Sequence, residues 1–257
     1  NNARAPTQRR LGTGLRMNSA ADDAAGLQIA TRLNAQSRGM GVAMRNTSDA
    51  VSMLQTAEGA FSETTDILQR MKDLSTQAAN DTNTADDRTS LQAEFDALGE
   101  ELTNIFNNTK YAGENLFTTK LAAAVNFQIG ASAAETMEFD VSTDMGTLET
   151  TLTTTVQALT LDSAANAGLA ITGLETALNE VGSMRAQFGA TINRLNHTSN
   201  NLANMKDNTE MAKGRIMDAD FAMESANMSK NSMLMQSGIS MLKQAGQMPG
   251  MVMGLLG

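Results

Sequence analysis

Between Pro6 and Pro249 the chain has no proline, so more than two hundred consecutive residues carry no obligatory helix break. Within that stretch the apolar residues fall where a helix would put them. Ala50, Leu54, Ala57, Phe61, Thr64, Leu68, Met71, Ser75 and Ala78 are spaced alternately four and three apart, the seam of a coiled coil with small knobs. The pattern predicts one helix from Leu27 to Asn80, roughly 80 Å long at 1.5 Å per residue. The Asn-, Asp- and Thr-rich stretch Asn80 to Asp87 breaks it, with Asp86 or Asp87 expected to cap a second helix. That helix, about 87–108, carries Leu91, Phe95, Leu98, Leu102, Ile105 and Phe106, and the short break makes its return antiparallel.

After Gly113 the period changes to two. Val125, Phe127 and Ile129 alternate, a turn follows, and Met137, Phe139 and Val141 alternate again, which predicts a β-hairpin over about 124–142 with one buried face. Thr143 to Ser163 is Thr-rich with little regular signal and is expected to be a loop with at most a short element. Helical spacing resumes with Leu174, Leu178, Val181, Phe188, Ile192, Leu195 and Leu202, a third long helix over about 164–207. With no Trp, one Tyr, eight Phe and nineteen Met, the core must come from Leu, Ala, Met and Val, residues that suit long helices lying side by side. The expected fold is mainly α, a long antiparallel, coiled-coil-like helical rod with a small hairpin.

The ends differ from this body. Residues 1–24 look too irregular to be stable alone, and 209–257 too apolar: ten of the nineteen methionines occur from Met211 onward, beside Ile216, Phe221, Leu234, Ile239, Leu242, Leu255 and Leu256. One amphipathic helix cannot bury that surface on itself. It needs either another segment of this chain or other copies. An ordered middle, 25–208, between adhesive ends suits polymerisation, with folding of the ends coupled to assembly.

Catalytic chemistry has little to work with. His197, the only histidine, occupies a polar helical position around which no Ser-His-Asp arrangement can be built. There is no cysteine, Asp22-Asp23 lacks calcium-loop spacing, and Gly12-Thr13-Gly14 lacks the context of a phosphate loop. No enzyme activity, metal or cofactor is expected. A net charge of −9 with scattered Lys and Arg excludes nucleic acid and anionic membrane as partners, and no apolar run approaches the roughly 20 residues of a membrane span. A glycan-binding adhesin would need exposed aromatics for stacking, and Tyr111 is the only Tyr.

The run Arg10-Leu11-Gly12-Thr13-Gly14-Leu15-Arg16-Met17-Asn18-Ser19-Ala20-Ala21-Asp22-Asp23-Ala24-Ala25-Gly26-Leu27 resembles the N-terminal signature of bacterial flagellins. Asn46 to Asn80 looks like the family's first rod helix, and Val125-Asn126-Phe127-Gln128-Ile129-Gly130-Ala131 resembles its hairpin. Arg215-Ile216-Met217-Asp218-Ala219-Asp220-Phe221-Ala222-Met223-Glu224 resembles its C-terminal signature. These blocks span essentially the whole chain, in family order.

The resemblance implies an extracellular filament subunit for motility, partnered by itself, by an export chaperone and by a cap protein, and leaving the cell through the type III flagellar channel. The ends, 1–24 and 209–257, would pair as the inner tube around a rod of 25–208. Interface residues implied by the signatures and the apolar tail are Leu15, Arg16, Asn18, Asp22, Asp23, Ile216, Asp218, Asp220, Phe221, Leu234, Leu242, Leu255 and Leu256. The returning helix follows the hairpin closely, so this looks like a minimal subunit with little or no outer domain, and the Met-rich tail resembles lateral-type flagellins. About twenty residues of the family's N-terminal pattern are absent, and Pro6 stands where the family has helix, so that end is expected to be non-helical. Leu68 to Gln77 resembles the pattern contacted by the vertebrate Toll-like receptor for flagellin. That implies Arg70, Leu74 and Gln77 on one helix face, with Glu94, as receptor contacts. The hook–filament junction protein of the same class is the alternative; an intact receptor pattern and hairpin favour flagellin proper.

Overall fold

Long uninterrupted helices dominate the computed structural model, which describes residues 4–19 and 21–255. In chain order the elements are α1 (Arg4–Thr13), α2 (Ala24–Ala78), α3 (Ala85–Asn108), β1 (Lys110–Tyr111), β2 (Glu114–Asn115), β3 (Val125–Gln128), β4 (Thr136–Phe139), α4 (Ser142–Thr150), α5 (Ala164–Met217) and α6 (Phe221–Leu255). They group into two compact units, one of residues 39–204 and one of the two chain ends, up to Arg38 and from Met205. None of the described helices is long and apolar enough to cross a membrane.

The 39–204 unit is built on the four-three seam. All nine seam residues from Ala50 to Ala78 are buried, joined by Phe95, Leu102 and Phe106 from α3 and by Leu174, Val181, Phe188 and Leu195 from α5, while Leu202 packs in a separate small cluster with Met40 and Ala43. Lys72 pairs with Glu175 at 2.9 Å and Arg185 with Glu58 at 2.7 Å. Partners that fall along α5 as they rise along α2 mark the two helices as antiparallel. The rings of Phe61 and Phe117 stack at 4.6 Å between centroids, Phe188 stacks on Phe61 at 5.5 Å, and Phe106 on Phe117 at 5.4 Å. A core poor in aromatics thus concentrates them where α2, α3, α5 and the turn after β2 meet.

Several local expectations are corrected. The cap of α3 is Thr84, not Asp86 or Asp87: its hydroxyl accepts from Asp87 N–H while the Asp87 carboxylate accepts from Thr84 N–H, a capping box. The Thr84 backbone N–H, and after it the Thr84 hydroxyl, donate to the Asp87 carboxylate and hold it below the ordinary aspartate range. Thr143 to Ser163 is not loop. It holds most of α4, then a wide π-helical turn, Thr151–Thr155, and a tight 3-10 turn, Val156–Ala158, and Met145, Leu148, Leu152 and Val156 are buried from it at spacings of three and four. The threonines hid the period because their hydroxyls bond backward within the helix, as Thr147 does to Thr143 O. Pro6 lies in the first turn of α1, where its missing N–H costs nothing, so that end is helical.

The β3–β4 hairpin pairs Val125 with Phe139 and Phe127 with Met137. The Gln128 side-chain amide donates to Gly130 O and Ser132 O and ties the turn closed. A Cβ on Gly39 would lie 2.8 Å from the Ala131 Cβ, so glycine is what lets this turn lie against α2. A second, two-residue hairpin, β1–β2, turns at Ala112 and Gly113, both with positive φ. Sequence periodicity gave no sign of it.

Candidate functional site

In the unit formed by the chain ends, one crossing point holds the two segments together. Gly14, at φ +71°, turns the chain out of α1, and its carbonyl accepts from Ala219 N–H at 2.9 Å. Leu15 then pairs with Asp218 in an antiparallel bridge, and Arg16 N–H donates to Met217 O. The Arg16 guanidinium donates twice to Ile216 O and lies 3.8 Å from Asp23. Around this crossing Asn18 donates to Leu15 O, and the Asp22 carboxylate accepts from Asn18 and Ser19 N–H. Those two backbone donors, Asn18 the stronger, hold Asp22 below the ordinary aspartate range.

Both helix starts beside the crossing are capped by aspartate. Asp23 accepts from Gly26 N–H at the start of α2, and Asp220 accepts from Ala222 and Met223 N–H at the start of α6. A Cβ on Gly26 would lie 2.5 Å from Asp23 Oδ2 and 2.9 Å from the sulfur of buried Met17, which explains glycine at that step of the run.

Further from the crossing, Arg10 Nη1 donates to buried Glu224 Oε1 at 3.0 Å and joins α1 to α6. Ser37 donates to Glu210, which Lys213 also meets at 2.6 Å. The Lys213 and Ser37 bonds, in that order of strength, pull Glu210 below the ordinary glutamate range. These two pairings were invisible to sequence reading, because their members lie 214 and 173 residues apart.

Of the residues implied as interface contacts, Leu15, Arg16, Asn18, Asp22, Asp23, Asp218 and Asp220 therefore have partners within the chain. Ile216 is half-buried and gives its carbonyl to Arg16. Leu234 and Leu242 project into solvent from α6, with Ile239, Met223, Met233 and Met241. Phe221 and Leu255 lie within α6, but their side chains are outside the described part, and Leu256 is outside the described residues.

On the second unit, Arg70 of α2 and Glu94 of α3 form an ion pair at 2.7 Å, both exposed, and Gln77 is exposed as well. Leu74 is not. At 1% exposure it lies in the core, so it is no apolar centre of an exposed patch. The cause is its place between seam residues Met71 and Ser75, on a stretch where Ile67 and Leu68 also turn inward. His197 is exposed on α5, and no cluster of three or more His, Asp or Glu that could hold a metal occurs among the described residues.

The crossing is made by the same two runs that carry the family signatures, and two family models match there. The bacterial flagellin N-terminal helical region matches residues 1–122, and the bacterial flagellin C-terminal helical region matches 171–256. The chain belongs to the bacterial flagellin family. A flagellin of Halalkalibacterium halodurans is 39% identical over 248 residues, covering 96% of this chain and 89% of its own. Flagellin A of Vibrio anguillarum is 34% identical over 349 residues, covering 96% of this chain and 92% of its own; that alignment is longer than this chain, so the relative carries residues this chain lacks. The crystal structure of Bacillus cereus flagellin superposes with a TM-score of 0.54 at 35% identity, over 62% of this chain and 88% of that one. Flagellins are structural proteins of the exported flagellar filament, assembled by self-association, and this flagellin is such a subunit.

Proposed function

We propose that the end segments 1–24 and 209–257 are the part through which copies of this flagellin pack along the filament core, and that residues 25–208 form its rod. The observation that carries this is α6: it packs against α1, and Leu234, Ile239 and Leu242 on it are exposed. An apolar face of this kind reaches a packed state only among neighbours. On this reading Leu15, Arg16, Asn18, Asp22, Asp23, Ile216, Asp218 and Asp220 hold the ends in the shape that presents the face, and the apolar residues of α6 make the contacts. The signature aspartates thus serve assembly through geometry.

The subunit is of a minimal kind, a rod with a small hairpin and no large outer domain. It passes through the flagellar export channel with a chaperone and joins the filament beneath a cap protein. The exposed face of Arg70, Gln77 and Glu94 is the surface that the vertebrate flagellin-sensing Toll-like receptor recognises, with Leu74 supporting it from below.

Seeded elongation tests the assembly reading. Purified protein is added to short filament fragments and followed by electron microscopy. Growth from seed ends is the expected result, abolished by Leu234→Asp with Leu242→Asp. A chain that stays monomeric with seeds present would overturn it.

A further inference from the structure

Among the described methionines exposure runs from closed core positions to the open sulfurs of α6, with Met211 of α5 exposed almost as far as Met223. Met71 and Met184 are 0% and 1% exposed, closed inside the 39–204 core. Met223, Met233 and Met241 of α6 are 61%, 65% and 72% exposed. Met223, Leu234 and Met241 are 11 and 7 residues apart, near whole numbers of helical turns, so they form one stripe along α6. Glu224, which meets Arg10 of α1, lies a third of a turn from that stripe. Met233 lies about 80° to the other side of the stripe, opposite Glu224, and the thioethers of Met223, Met233 and Met241 are all open to solvent in the subunit.

We propose that Met223, Met233 and Met241 form an oxidation site that controls whether a subunit can enter the filament. The reagent class is a peroxide. The thioether sulfur attacks the O–O bond and takes one oxygen, the sulfur is oxidised by two electrons to the sulfoxide, and hydrogen peroxide leaves as water. Each event replaces a flexible apolar group by a polar S=O that accepts hydrogen bonds and has no donor waiting for it in an apolar contact. Exposure sets the order of reaction, so the α6 sulfurs react while those of the core are spared. The change is reversible, because methionine sulfoxide reductases with a thiol return the sulfur to the thioether. Once a subunit is packed, its own contacts shield the stripe, so the oxidant stops growth without dissolving existing filament. The consequence for growth rests on the assembly reading above; the site itself rests on exposure alone.

The test uses the whole protein, hydrogen peroxide as the oxidant, and two readouts. Peptide mass mapping of the treated monomer reads the site: sulfoxide is expected at Met223, Met233 and Met241 well before Met71 and Met184. Equal rates at all five positions would overturn the site. Seeded elongation reads the consequence: treated protein is expected to slow by at least about tenfold, as buried polar groups without partners weaken packing. Reductase treatment restores it. The variant Met223→Leu, Met233→Leu, Met241→Leu, compared with its own untreated rate, is expected to elongate alike before and after peroxide, since leucine keeps apolarity without the sulfur. Undiminished growth of oxidised wild-type protein, or equal loss in the leucine variant, would overturn the control function. Failure of untreated protein to elongate would count against the assembly reading, and the mass map would still decide the site.

Discussion

Arg70 and Glu94 lie 24 residues apart in sequence yet meet at 2.7 Å across the antiparallel return of α2 and α3, with about half of each side chain open to solvent. Exposed pairs of this kind contribute only about 0.5 kcal/mol to stability. Glu94→Ala and Arg70→Ala are therefore expected to leave the thermal midpoint almost unchanged. Receptor binding should behave differently: loss of Arg70 removes the charged centre of the exposed face, and affinity is expected to fall by about tenfold or more. Circular dichroism melting with binding to the immobilised receptor ectodomain separates the two. Unchanged affinity in both variants would remove this face as the recognition surface.

Phe61 holds the aromatic cluster together, since it stacks on both Phe117 and Phe188 and is fully buried. Phe61→Ala should cost about 3–5 kcal/mol, because neighbours from three elements cannot all move into the space. Phe61→Leu, which keeps much of the volume, should cost markedly less. Urea unfolding of both variants reads the difference as a shift in midpoint at constant slope.

The body of the fold was legible in sequence because it is made of repeats. Every member of the Ala50-to-Ala78 seam is buried, including the polar Thr64 and Ser75, whose hydroxyls bond to Ala60 O and Met71 O one turn back. Apart from the segment 143–158, whose period the threonines hid, what sequence missed has no period. The Ala112–Gly113 turn, the Thr84 capping box and the Arg10–Glu224 pair each depend on single residues or on distant partners. Leu74 was misplaced for a related reason: helical spacing relates it to Arg70 and Gln77, but the inward face is wider than a two-residue seam and takes in Ile67 and Leu74 as well. The ends were legible as a resemblance, but not as geometry. The residues of the two signatures proved to be partners of one another, through the Leu15–Asp218 bridge.

Acid should loosen the crossing before it loosens the core. The carboxyls of Asp22 and Glu210 are held below their ordinary values, by backbone N–H donors in one case and by Lys213 and Ser37 in the other. A depressed folded-state value means that the ionised group stabilises the fold. That contribution is fully present above the ordinary carboxylate value and is lost as pH falls from there through the lower folded value. Between neutrality and about pH 5 the unit of chain ends should therefore show constant protection. Below pH 4 its amides should exchange faster while the apolar middle of the α2–α3–α5 core changes little, the start of α3, capped through Asp87, being the exception there. Asp22→Asn should show the faster exchange already at pH 7, and identical exchange to wild type there would argue against the role given to Asp22.

Glu224 should determine whether α1 stays on α6. Its carboxylate is buried, receives Arg10 at 3.0 Å through one oxygen, and leaves the other oxygen without a partner. Glu224→Ala removes the anchor and strands a half-buried guanidinium, a change expected to cost about 1–2 kcal/mol locally given the partial exposure of Arg10. That is enough to raise the opening of α1 by about tenfold. Hydrogen exchange should show α1 amides deprotected while those of α3 keep their wild-type rates. The double variant Arg10→Leu, Glu224→Leu, which replaces the pair by an apolar contact, should recover much of the protection. If the double variant exchanges as fast as Glu224→Ala, the pair is not what seats α1, and the Gly14–Ala219 and Leu15–Asp218 backbone contacts carry that function instead.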